Sequence, residues 1–377
     1  MGGPSQRFRQ LAELQALDLP PTNAEIAELL SREASEASYV LQRAYRRAAR
    51  SAFLWEVEAR DLAAQKRPLT ELAHIGPFLQ KQIRQWIRQK RHPPRPPPLR
   101  KEFLTLAGSR LRLAKASSWG TRLRGDLQMH TNWSDGSGDI RAMADAAVAR
   151  GYEFIAVTDH SKGLSIANGI DEAKLKEQSA KIEAVNGELR ASAKRLTVLR
   201  SIEMNLNPLG EGDMEPAALR SLDIVLGSFH SALRRKDDQT ERYLAALRNP
   251  NIQILGHPRG RIYNYRAGLR ADWETVFCEA ARLDKAVEID AYPDRQDLNV
   301  SLLKIVKRCG SRISMGTDAH HPWQFEFIDL ALAAALKAGI PPERIVNFMP
   351  LKELLAWVEK VRCAEARRTR KEKRKKG

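Results

Sequence analysis

Cysteine is scarce in this sequence, which has three among 377 residues. Cys278, Cys309 and Cys363 stand far apart along the chain and form no CxxC pair, which argues against a disulfide framework and against a structural zinc knuckle. We therefore expect a reducing compartment, the cytoplasm. Long apolar runs are missing as well. No segment approaches the roughly 20 apolar residues of a membrane span, and we expect no membrane association.

Acidic residues are outnumbered by basic ones, 46 against 63, which gives a formal net charge of +17. The excess lies at the two ends. Residues 1–100 hold 17 Lys or Arg and 10 Asp or Glu, residues 360–377 hold 10 and 2, and the residues between are nearly balanced. Basic ends on a nearly neutral body favour a polyanionic partner, with nucleic acid the first candidate. For the tail RTRKEKRKKG alone, a solubilising, disordered segment is the alternative.

The length of the chain exceeds one usual domain and predicts a small domain beside a large one. Apolar residues recur at helical spacing from Thr22 to Lys90, with Thr22 or Asn23 as N-cap. The segment RHPPRPPP at 91–98 can form neither helix nor central strand, because proline removes a donor and fixes φ, so it predicts a stiff linker and a domain boundary. The predicted regions are a helical domain (1–90), a linker with a connecting helix (91–122), a large domain (123–362) and a basic tail (363–377).

Beyond the linker, short apolar runs alternate with helix-like segments. This alternation predicts an α/β fold with a mainly parallel sheet and right-handed crossovers. About seven such units fit a closed or nearly closed TIM-like (β/α)7 barrel, and an open doubly wound sheet is the alternative. The predicted strands are residues 124–129, 153–158, 197–203, 224–229, 252–256, 285–290 and 312–317.

Histidines and carboxylates gather at the ends of these predicted strands. In a parallel barrel all strand C-termini open on one face, so side chains distant in sequence should converge there. A lone histidine at such a position is most often a core or loop residue, but five histidines with carboxylates at further positions indicate a metal site. The residues are His130, His160, His230, His257 and His320, with Glu203, Asp318 and Asp135.

The predicted ligands are imidazoles and carboxylates, without a thiolate. This set favours Zn²⁺, Mn²⁺ or Fe²⁺, and spacing alone does not choose between them. Eight ligands are too many for one ion, so we expect two or three divalent ions, with a carboxylate such as Glu203 able to bridge them. Clustered divalent ions suit the hydrolysis of phosphate esters. Asp159 could either orient the neighbouring His160 or cap the loop that follows.

Seven motifs carry a resemblance to a known family. In order and spacing, DLQMHT…SDG, VTDHS, SIEMN, GSFHS, LGHPRGR, VEIDAYPDR and MGTDAHH resemble the motifs of the polymerase and histidinol phosphatase (PHP) domain. They are most similar to the version at the C-terminus of bacterial family X DNA polymerases. The resemblance covers roughly residues 123–362 and implies a distorted seven-stranded α/β barrel with a trinuclear metal site. His321 matches no ligand position.

The resemblance also implies how the ligands are shared among the metals. It assigns Gln128, His130, Glu203 and Asp318 to one ion, Glu203, His230 and His257 to a second, and Asp135, His160 and His320 to a third. Gln128 departs from the pattern, because a histidine is expected two residues before His130. A glutamine offers a metal only a neutral amide oxygen, a weaker ligand than imidazole. Some bacterial members related to the polymerases also have glutamine here, so the exchange favours that branch over loss of the site.

The N-terminal region is similar to the same polymerases. NAEIAELL and AYRRAAR resemble helices of their small DNA-binding domain, and LTELAHIGPFLQKQIRQWI (about 69–89) resembles their helix-hairpin-helix. In that motif a tight hairpin directs backbone N–H groups at a DNA phosphate. The candidate contacts here are Ile75, Gly76 and Lys81, with His74 in place of the usual first glycine. An ordinary pair of amphipathic helices is the alternative.

The polymerase core that lies between these two regions in the family has no counterpart here. Only about 25 residues separate the proline-rich segment from Gly125, too few for a palm sheet, so we expect no polymerase activity. The resemblance instead implies a DNA phosphoesterase with 3′–5′ exonuclease and 3′-end processing activity, which a repair polymerase could partner. The residues expected to carry catalysis are His130, Glu203, His230, His257 and Asp318.

Two basic residues are further candidates for the site, and two other functions are alternatives to the DNA phosphoesterase. Lys162 and Arg261 are candidates to bind the substrate phosphate, and either could instead be a solvated surface charge. A small-molecule phosphatase of the histidinol phosphate kind would use the same metal chemistry, but it gives no reason for basic ends or a helix-hairpin-helix. A DNA-binding module with a degenerate metal domain is the remaining alternative, and it depends on Gln128 alone.

Overall fold

The computed structural model of the protein describes the backbone of residues 18–376 and the side chains as far as Arg368. The chain divides into two compact units, Met1–Ala114 and Lys115–Gly377. The division falls inside the predicted linker and connecting helix (91–122), not at the proline-rich segment. No helix within residues 18–376 is both long enough and apolar enough to cross a membrane.

The regular structure described in the first unit, residues 18–114, consists of helices. They are α1 (Asn23–Glu36), α2 (Tyr39–Ser51), α3 (Ala59–Ala64), α4 (Pro77–Arg88) and α5 (Leu106–Ala114), with short 3-10 turns at Leu69–Glu71 and Pro98–Arg100. Thr22 caps α1 in a reciprocal capping box with Glu25, which agrees with the cap predicted from the sequence.

The proline-rich segment belongs to the first unit, which differs from its expected role as a linker. Nδ1 of His92 lies 2.6 Å from Oε1 of Glu25 on α1. Arg100 donates to both carboxylate oxygens of the buried Glu28, at 2.7 and 2.9 Å. Proline fixes the backbone of this segment, and the basic residues beside it find acidic partners on α1. Residues 91–100 are thereby fastened to the helices that precede them.

The second unit has an α/β fold with parallel strands. Its strands are β1 (Gly125–Asp126), β2 (Phe154–Val157), β3 (Thr197–Arg200), β4 (Glu203–Asn205), β5 (Leu226–Ser228), β6 (Ile254–Leu255), β7 (Ala286–Asp290) and β8 (Arg312–Gly316). Its helices are α6 (Ile140–Ala149), α7 (Glu172–Ala191), α8 (Pro216–Leu219), α9 (Thr240–Arg248), α10 (Trp273–Arg282), α11 (Val300–Cys309), α12 (Ile328–Ala338) and α13 (Leu351–Lys376). The predicted basic tail is continuous with α13.

The strands form two parallel sheets, β1-β2-β3 and β4-β5-β6-β7-β8, whereas the sequence predicts one sheet of seven. The predicted strand 197–203 is interrupted at Ser201 and Ile202, so that β3 pairs with β2 and β4 pairs with β5. Further hydrogen bonds join the segment after β1 to β8 and to the residues beyond it. Leu127 N donates to Met315 O at 3.2 Å, and Met129 bridges Ala319 in parallel.

Aliphatic and aromatic side chains between strands and helices form the core of the second unit. One cluster joins α6 and α7 to β2 through residues such as Met143, Ile155 and Val185, all at most 1% exposed. A second cluster joins the strands to α13 through Trp357 and Val361. Full burial of one such side chain stabilises the fold by roughly 1.5–3 kcal/mol. This packing fixes the strand ends from which the functional side chains project.

Candidate metal centre

The segment after β1 and the segment after β8 lie side by side and bring two predicted ligands together. Asp318 N donates to Gln128 O at 3.0 Å, and His130 N donates to Ala319 O at 2.8 Å. Nε2 of His130 consequently lies 2.9 Å from Oδ1 of Asp318. Residues 188 positions apart in sequence therefore share one buried site, as the convergence of parallel strand ends requires.

Glu203, the first residue of β4, is the centre of the cluster. Its Oε1 lies 2.6 Å from Nε2 of His257 and 3.3 Å from Nε2 of His230. Its Oε2 lies 2.9 Å from Nδ1 of His160 and 3.6 Å from Nε2 of His130. One buried carboxylate thus faces four imidazoles that come from four different strand ends.

Asp135 faces a second set of imidazoles at the edge of the same cluster. Its Oδ1 lies 3.4 Å from Nε2 of His320, 3.7 Å from Nε2 of His160 and 4.0 Å from Nδ1 of His130. The ring of His130 stacks between the other two rings, at centroid distances of 4.3 Å from His160 and 4.5 Å from His320. The eight residues predicted from strand ends and the SDG turn are therefore in one place.

The cluster has the geometry of a site for more than one divalent ion. His130, Asp135, His160 and His320 offer ligand atoms within 4.8 Å of one another, and so do His160, Glu203 and His230. Four buried atoms of these residues make no hydrogen bond: His130 Nδ1, His160 Nδ1, His230 Nε2 and Glu203 Oε2. Buried polar atoms without partners are costly. A cation shared among imidazole nitrogens and carboxylate oxygens would satisfy them, so the residues present fit divalent metals.

The electrostatics of the cluster keep both carboxylates ionised. Burial opposes the charge of Glu203, but His230, His160 and His257 outweigh it and hold the pKa well below its usual value. Burial likewise opposes the charge of Asp135, and His320, His130 and His160 lower its pKa to about 2. Ionised carboxylates at neutral pH are the form that binds metal.

The histidines divide according to their surroundings. Burial lowers the pKa of His130, with the neighbouring His160 and His320 acting in the same direction, so His130 is neutral near pH 7. For His320 burial also opposes the charge, but Asp135 and Asp318 outweigh it and raise the pKa to about 9. Only a neutral imidazole coordinates a metal. Binding at His320 must therefore displace a proton.

Several hydrogen bonds fix the orientation of the cluster from outside. Nδ1 of His230 lies 3.1 Å from Oδ1 of Asn205, and Nδ1 of His320 lies 2.7 Å from the carbonyl oxygen of Asp318. In each case the opposite ring nitrogen points into the cluster. Such outer partners hold metal-binding imidazoles in one orientation and tautomer.

Asp159 serves neither of the two roles expected from the sequence. The buried carboxylate accepts from Thr131 N and Oγ1 at 2.8 and 2.6 Å, from Ser134 Oγ at 2.5 Å and from Gln178 Nε2 at 2.6 Å. It therefore holds the turn after β1 against α7. Because that turn also carries Asp135, Asp159 positions a candidate ligand through the backbone.

Gln128 is fully buried, and its amide lies against the carboxylate of Glu288 in β7. With the amide nitrogen facing Glu288, it donates to both carboxylate oxygens, one of them at 2.8 Å. Glu288 also accepts from the backbone N–H of His257 at 2.7 Å. The position that the resemblance assigns to a metal ligand thus has a direct contact with a carboxylate that supports His257. The contact with Glu288 leaves coordination by Gln128 untested.

Three charged residues beside the cluster were not singled out from the sequence. Glu288 and Asp290 are buried in β7, and burial raises the pKa of both well above the usual value; the charge of Asp290 adds to the effect at Glu288, and the charge of Asp318 adds to it at both. Arg295 donates to Asp318, and its Nη1 lies 3.8 Å from Asp290. Two acidic residues in the otherwise apolar run AVEID were the available signal, because a buried carboxylate without a role is costly.

Of the two predicted phosphate-binding cations, Lys162 is exposed and Arg261 is buried. Nζ of Lys162 is 2.8 Å from Oε1 of Glu172, and this pair is partly exposed. Arg261 is 3% exposed, and its Nε donates to the carbonyl oxygen of Arg295 at 2.7 Å. Its contact fastens the loop after β6 to the loop after β7. Arg295, which contacts Asp318 directly, is the cation that the structure brings to the cluster.

The predicted hairpin of the first unit lies between a 3-10 turn and α4. Ile75 is buried, Gly76 caps α4, and Lys81 is exposed on the second turn of that helix. His74 has a φ of 64°, in the left-handed region that favours glycine. The backbone here therefore takes the conformation for which the family's usual glycine is suited, although histidine is the residue present.

An α/β fold of parallel strands with clustered imidazoles and carboxylates at the strand ends is an arrangement that suits a hydrolase with several divalent ions. The PHP domain model matches residues 126–311, and the chain belongs to this family. The DNA polymerase/3′-5′ exonuclease PolX of Bacillus subtilis is 33% identical over 240 residues, which span 63% of this chain and 41% of that protein. The chain thus covers less than half of that relative.

Two other comparisons involve shorter proteins. A probable phosphatase of Photobacterium profundum is 30% identical over 221 residues, which span 54% of this chain and 80% of that protein. A solved structure of histidinol phosphate phosphatase from Lactococcus lactis, with zinc, L-histidinol and phosphate, covers 58% of this chain and 94% of that one. Its TM-score is 0.41 and its sequence identity 18%.

Proposed function

We propose that this PHP-domain phosphoesterase acts on DNA as a 3′–5′ exonuclease and 3′-end processing enzyme, without polymerase activity. The observation that carries the hydrolytic part is the convergence of four imidazoles on the buried carboxylate of Glu203, at 2.6 to 3.6 Å. Divalent ions held there supply charge neutralisation and acidify a bound water. His130, Asp135, His160, Glu203, His230, His257, Asp318 and His320 are proposed to hold them.

The side chains around the cluster prepare it for a phosphodiester. Asn205 and the carbonyl of Asp318 fix two imidazole rings, and Asp159 fixes the turn that carries Asp135. Arg295 is tied to Asp318, where its cation offsets the negative charge of the ligand carboxylates and lies close to an incoming phosphate. Preorganised charge of this kind stabilises the transition state of phosphoryl transfer more than the ground state.

DNA is favoured over a small phosphate ester for two reasons. The relative from Bacillus subtilis is named a polymerase and 3′-5′ exonuclease, and the excess positive charge of this chain lies at its ends. The first unit also has the exposed Lys81 beside the hairpin for which the sequence predicts contact with a DNA phosphate. The relative from Photobacterium profundum, named a probable phosphatase, supports the alternative of a small-molecule phosphatase.

The test compares DNA with a small ester in the presence of Mn²⁺ or Zn²⁺. A 5′-labelled duplex with a recessed 3′ end and histidinol phosphate are incubated separately with wild type and with His230→Ala. We expect stepwise shortening of the oligonucleotide by wild type and its loss in His230→Ala, because the variant removes one of four imidazoles around Glu203. Nucleotide incorporation is followed in the same reactions with a primed template and is expected to be absent.

The matched control is His321→Asn. His321 lies outside the cluster and its Nδ1 accepts from Trp323 N at 3.3 Å, a capping role that asparagine also performs well. Phosphate release from histidinol phosphate without any shortening of DNA would favour the small-molecule phosphatase. Binding of DNA without hydrolysis of either substrate under every metal would favour a DNA-binding module with a degenerate metal domain.

A further inference from the structure

An exposed tryptophan stands beside the metal cluster. Among the tryptophans of residues 18–376, Trp323 alone is exposed, at 50%. It lies near the start of the 3-10 helix Pro322–Phe327, three residues after His320. Gln324 fixes this turn by accepting from the backbone N–H groups of His320 and His321 at 2.6 and 3.1 Å. The indole is therefore held at a defined place while one face stays in solvent.

A chain of ring contacts connects Trp323 to the cluster. Its ring lies 5.2 Å from that of the buried Phe327, which lies 5.6 Å from Tyr292. The ring of Tyr292 in turn lies 6.3 Å from that of His320. Each contact is edge to face, an arrangement that aromatic pairs prefer to a face-to-face sandwich. The exposed indole is thus coupled rigidly to a candidate metal ligand.

A second exposed aromatic ring lies in one of the loops that follow the strand ends of the metal cluster. Tyr265 is 58% exposed and follows His257 in the loop after β6. The guanidinium of Arg234, in the loop after His230, lies 5.0 Å from the centroid of the Tyr265 ring and donates to its hydroxyl. Arg234 therefore covers one face of the ring. Its positive charge there would attract the negatively charged backbone of a nucleic acid.

We propose that Trp323 and Tyr265 form a stacking platform for the bases of a single-stranded 3′ end that enters the metal cluster. The inference rests on the proposed function and specifies its substrate as an oligonucleotide with at least one unpaired base near the scissile phosphate. Every nucleobase has a π-face, so aromatic platforms combined with basic side chains bind single strands without reading sequence. Two exposed rings on loops near a hydrolytic cluster favour an oligonucleotide with several bases over an ester with a single small ring.

The test measures steady-state kinetics of the full chain on three substrates. They are a single-stranded oligonucleotide, the same strand with abasic sites at the last positions before its 3′ end, and bis(p-nitrophenyl) phosphate as a diester without nucleobases. Trp323→Ala is expected to raise KM for the natural strand by about 5- to 100-fold, the range of one lost base stack. The preference of wild type for the natural over the abasic strand should shrink by the same factor. Trp323→Phe, which keeps a ring, should recover most of the affinity.

A binding measurement without metal separates stacking from catalysis. With the protein in EDTA, a strand that carries 2-aminopurine at its 3′ end is expected to lose fluorescence on binding wild type, and to lose less with Trp323→Ala or Tyr265→Ala. Leu355→Ala, a partly exposed apolar residue on α13, is the matched control and should quench like wild type.

The outcomes distinguish the stacking platform from the proposed function. If Trp323→Ala and Tyr265→Ala cleave and quench the natural strand as wild type does, the platform is overturned while the exonuclease stands. If wild type hydrolyses bis(p-nitrophenyl) phosphate but neither oligonucleotide, the proposed function itself fails. A loss in Trp323→Ala that is equal on all three substrates would mean a damaged site, and it would also overturn the platform.

Discussion

At the scale of single residues, Gln128 stands where the resemblance to the PHP motifs predicts a histidine. A Cβ at Gly316 would lie 2.4 Å from the Cβ of Gln128, so glycine at that position is required for the glutamine to lie where it does. The amide then meets Glu288, whose carboxylate also supports the backbone of His257. The buried hydrogen bond between Gln128 and Glu288 therefore joins the segment after β1 to β7 across β8, which is hydrogen-bonded to both.

Two substitutions decide whether Gln128 binds a metal. Gln128→Ala removes the amide, and we expect the metal content to be unchanged while the fold loses about 1–3 kcal/mol, the cost of leaving a buried acceptor without its donor. Gln128→His supplies an imidazole, and we expect tighter binding of one ion. Metal content after dialysis is measured by inductively coupled plasma mass spectrometry, and unfolding by urea. Loss of one metal equivalent in Gln128→Ala would make Gln128 a ligand.

The residues of the cluster could be predicted because the ends of strands can be recognised in the sequence. His130, His160 and His257 each follow an apolar run, and parallel strands put all such ends on one face. Glu288, Asp290 and Arg295 were not predicted, because their charges are tolerable only through contacts with one another and with Asp318. A pattern of apolar periodicity gives no information on which buried charges will meet.

At the scale of elements, the interruption between β3 and β4 was not predicted from the sequence. The run LTVLRSI is apolar enough for one strand, but Glu203 N donates to Asp159 O at 3.2 Å, and β4 then pairs with β5. This shift presents Glu203 to the histidines of its neighbours. Pairing partners decide where a strand breaks, and they are not a local property. Closure of the strands into one seven-stranded barrel stays a prediction.

The final helix α13 is fastened to the second unit through a buried lysine. Nζ of Lys285, which is 0% exposed, donates to the carbonyl oxygens of Leu247 and Asn249 at 2.7 and 2.6 Å. It also lies 3.4 Å from the carboxylate of Glu365 on α13. The cation therefore joins the end of α9 and the start of β7 to a helix that begins 66 residues later in the chain.

We expect Lys285→Met to destabilise the protein by about 2–4 kcal/mol, because it leaves two buried carbonyl oxygens without their donor and removes one of the two cations beside the buried Glu365. Urea unfolding followed by circular dichroism measures the change. Lys360→Met is the control. Lys360 is on α13 and its Nζ lies 2.9 Å from the carboxylate of Asp284, but its side chain is 71% exposed. The expected loss of stability is therefore below about 1 kcal/mol. Equal losses in the two variants would contradict the role of Lys285.

The same lysine makes stability depend on pH. Burial lowers the pKa of Lys285 from 10.5 to about 8, partly offset by Glu365. Between pH 8 and 10.5 the unfolded chain binds more protons than the folded one, so this group makes stability rise with pH across that window. We expect wild type to gain up to about 3 kcal/mol relative to Lys285→Met between those limits. A difference that stays constant from pH 7.5 to 10.5 would contradict the lowered pKa.

At the scale of the whole molecule, the chain has two units and an uneven charge. Residues 1–100 carry 17 basic and 10 acidic residues, and residues 360–377 carry 10 and 2. Several of those charges are used internally, as with Arg100 on Glu28. Each such pair removes one basic and one acidic charge, so the net excess counted from the sequence is unchanged. The remaining cations of the first unit include Lys81, exposed beside the hairpin at Ile75 and Gly76.

The dependence of DNA binding on salt tests whether the first unit contacts phosphates. Each phosphate neutralised by a lysine or arginine releases counterions, so the logarithm of the binding constant falls linearly with the logarithm of salt, by about 0.7–0.9 per contact. Binding of a labelled duplex is measured by fluorescence anisotropy from 50 to 300 mM salt, with EDTA to prevent cleavage. We expect residues 115–377 alone to bind more weakly and with a shallower slope than the full chain.

Two controls make this comparison specific. Hydrolysis of bis(p-nitrophenyl) phosphate by residues 115–377 reports whether the second unit has folded, so weak binding by an unfolded fragment is recognised. Full-length His230→Ala should keep the slope of wild type, because the substitution changes the metal cluster and leaves the phosphate contacts of the first unit intact. If the fragment is active and its slope equals that of the full chain, the first unit makes no phosphate contacts, and the helices before Ala114 must serve another purpose.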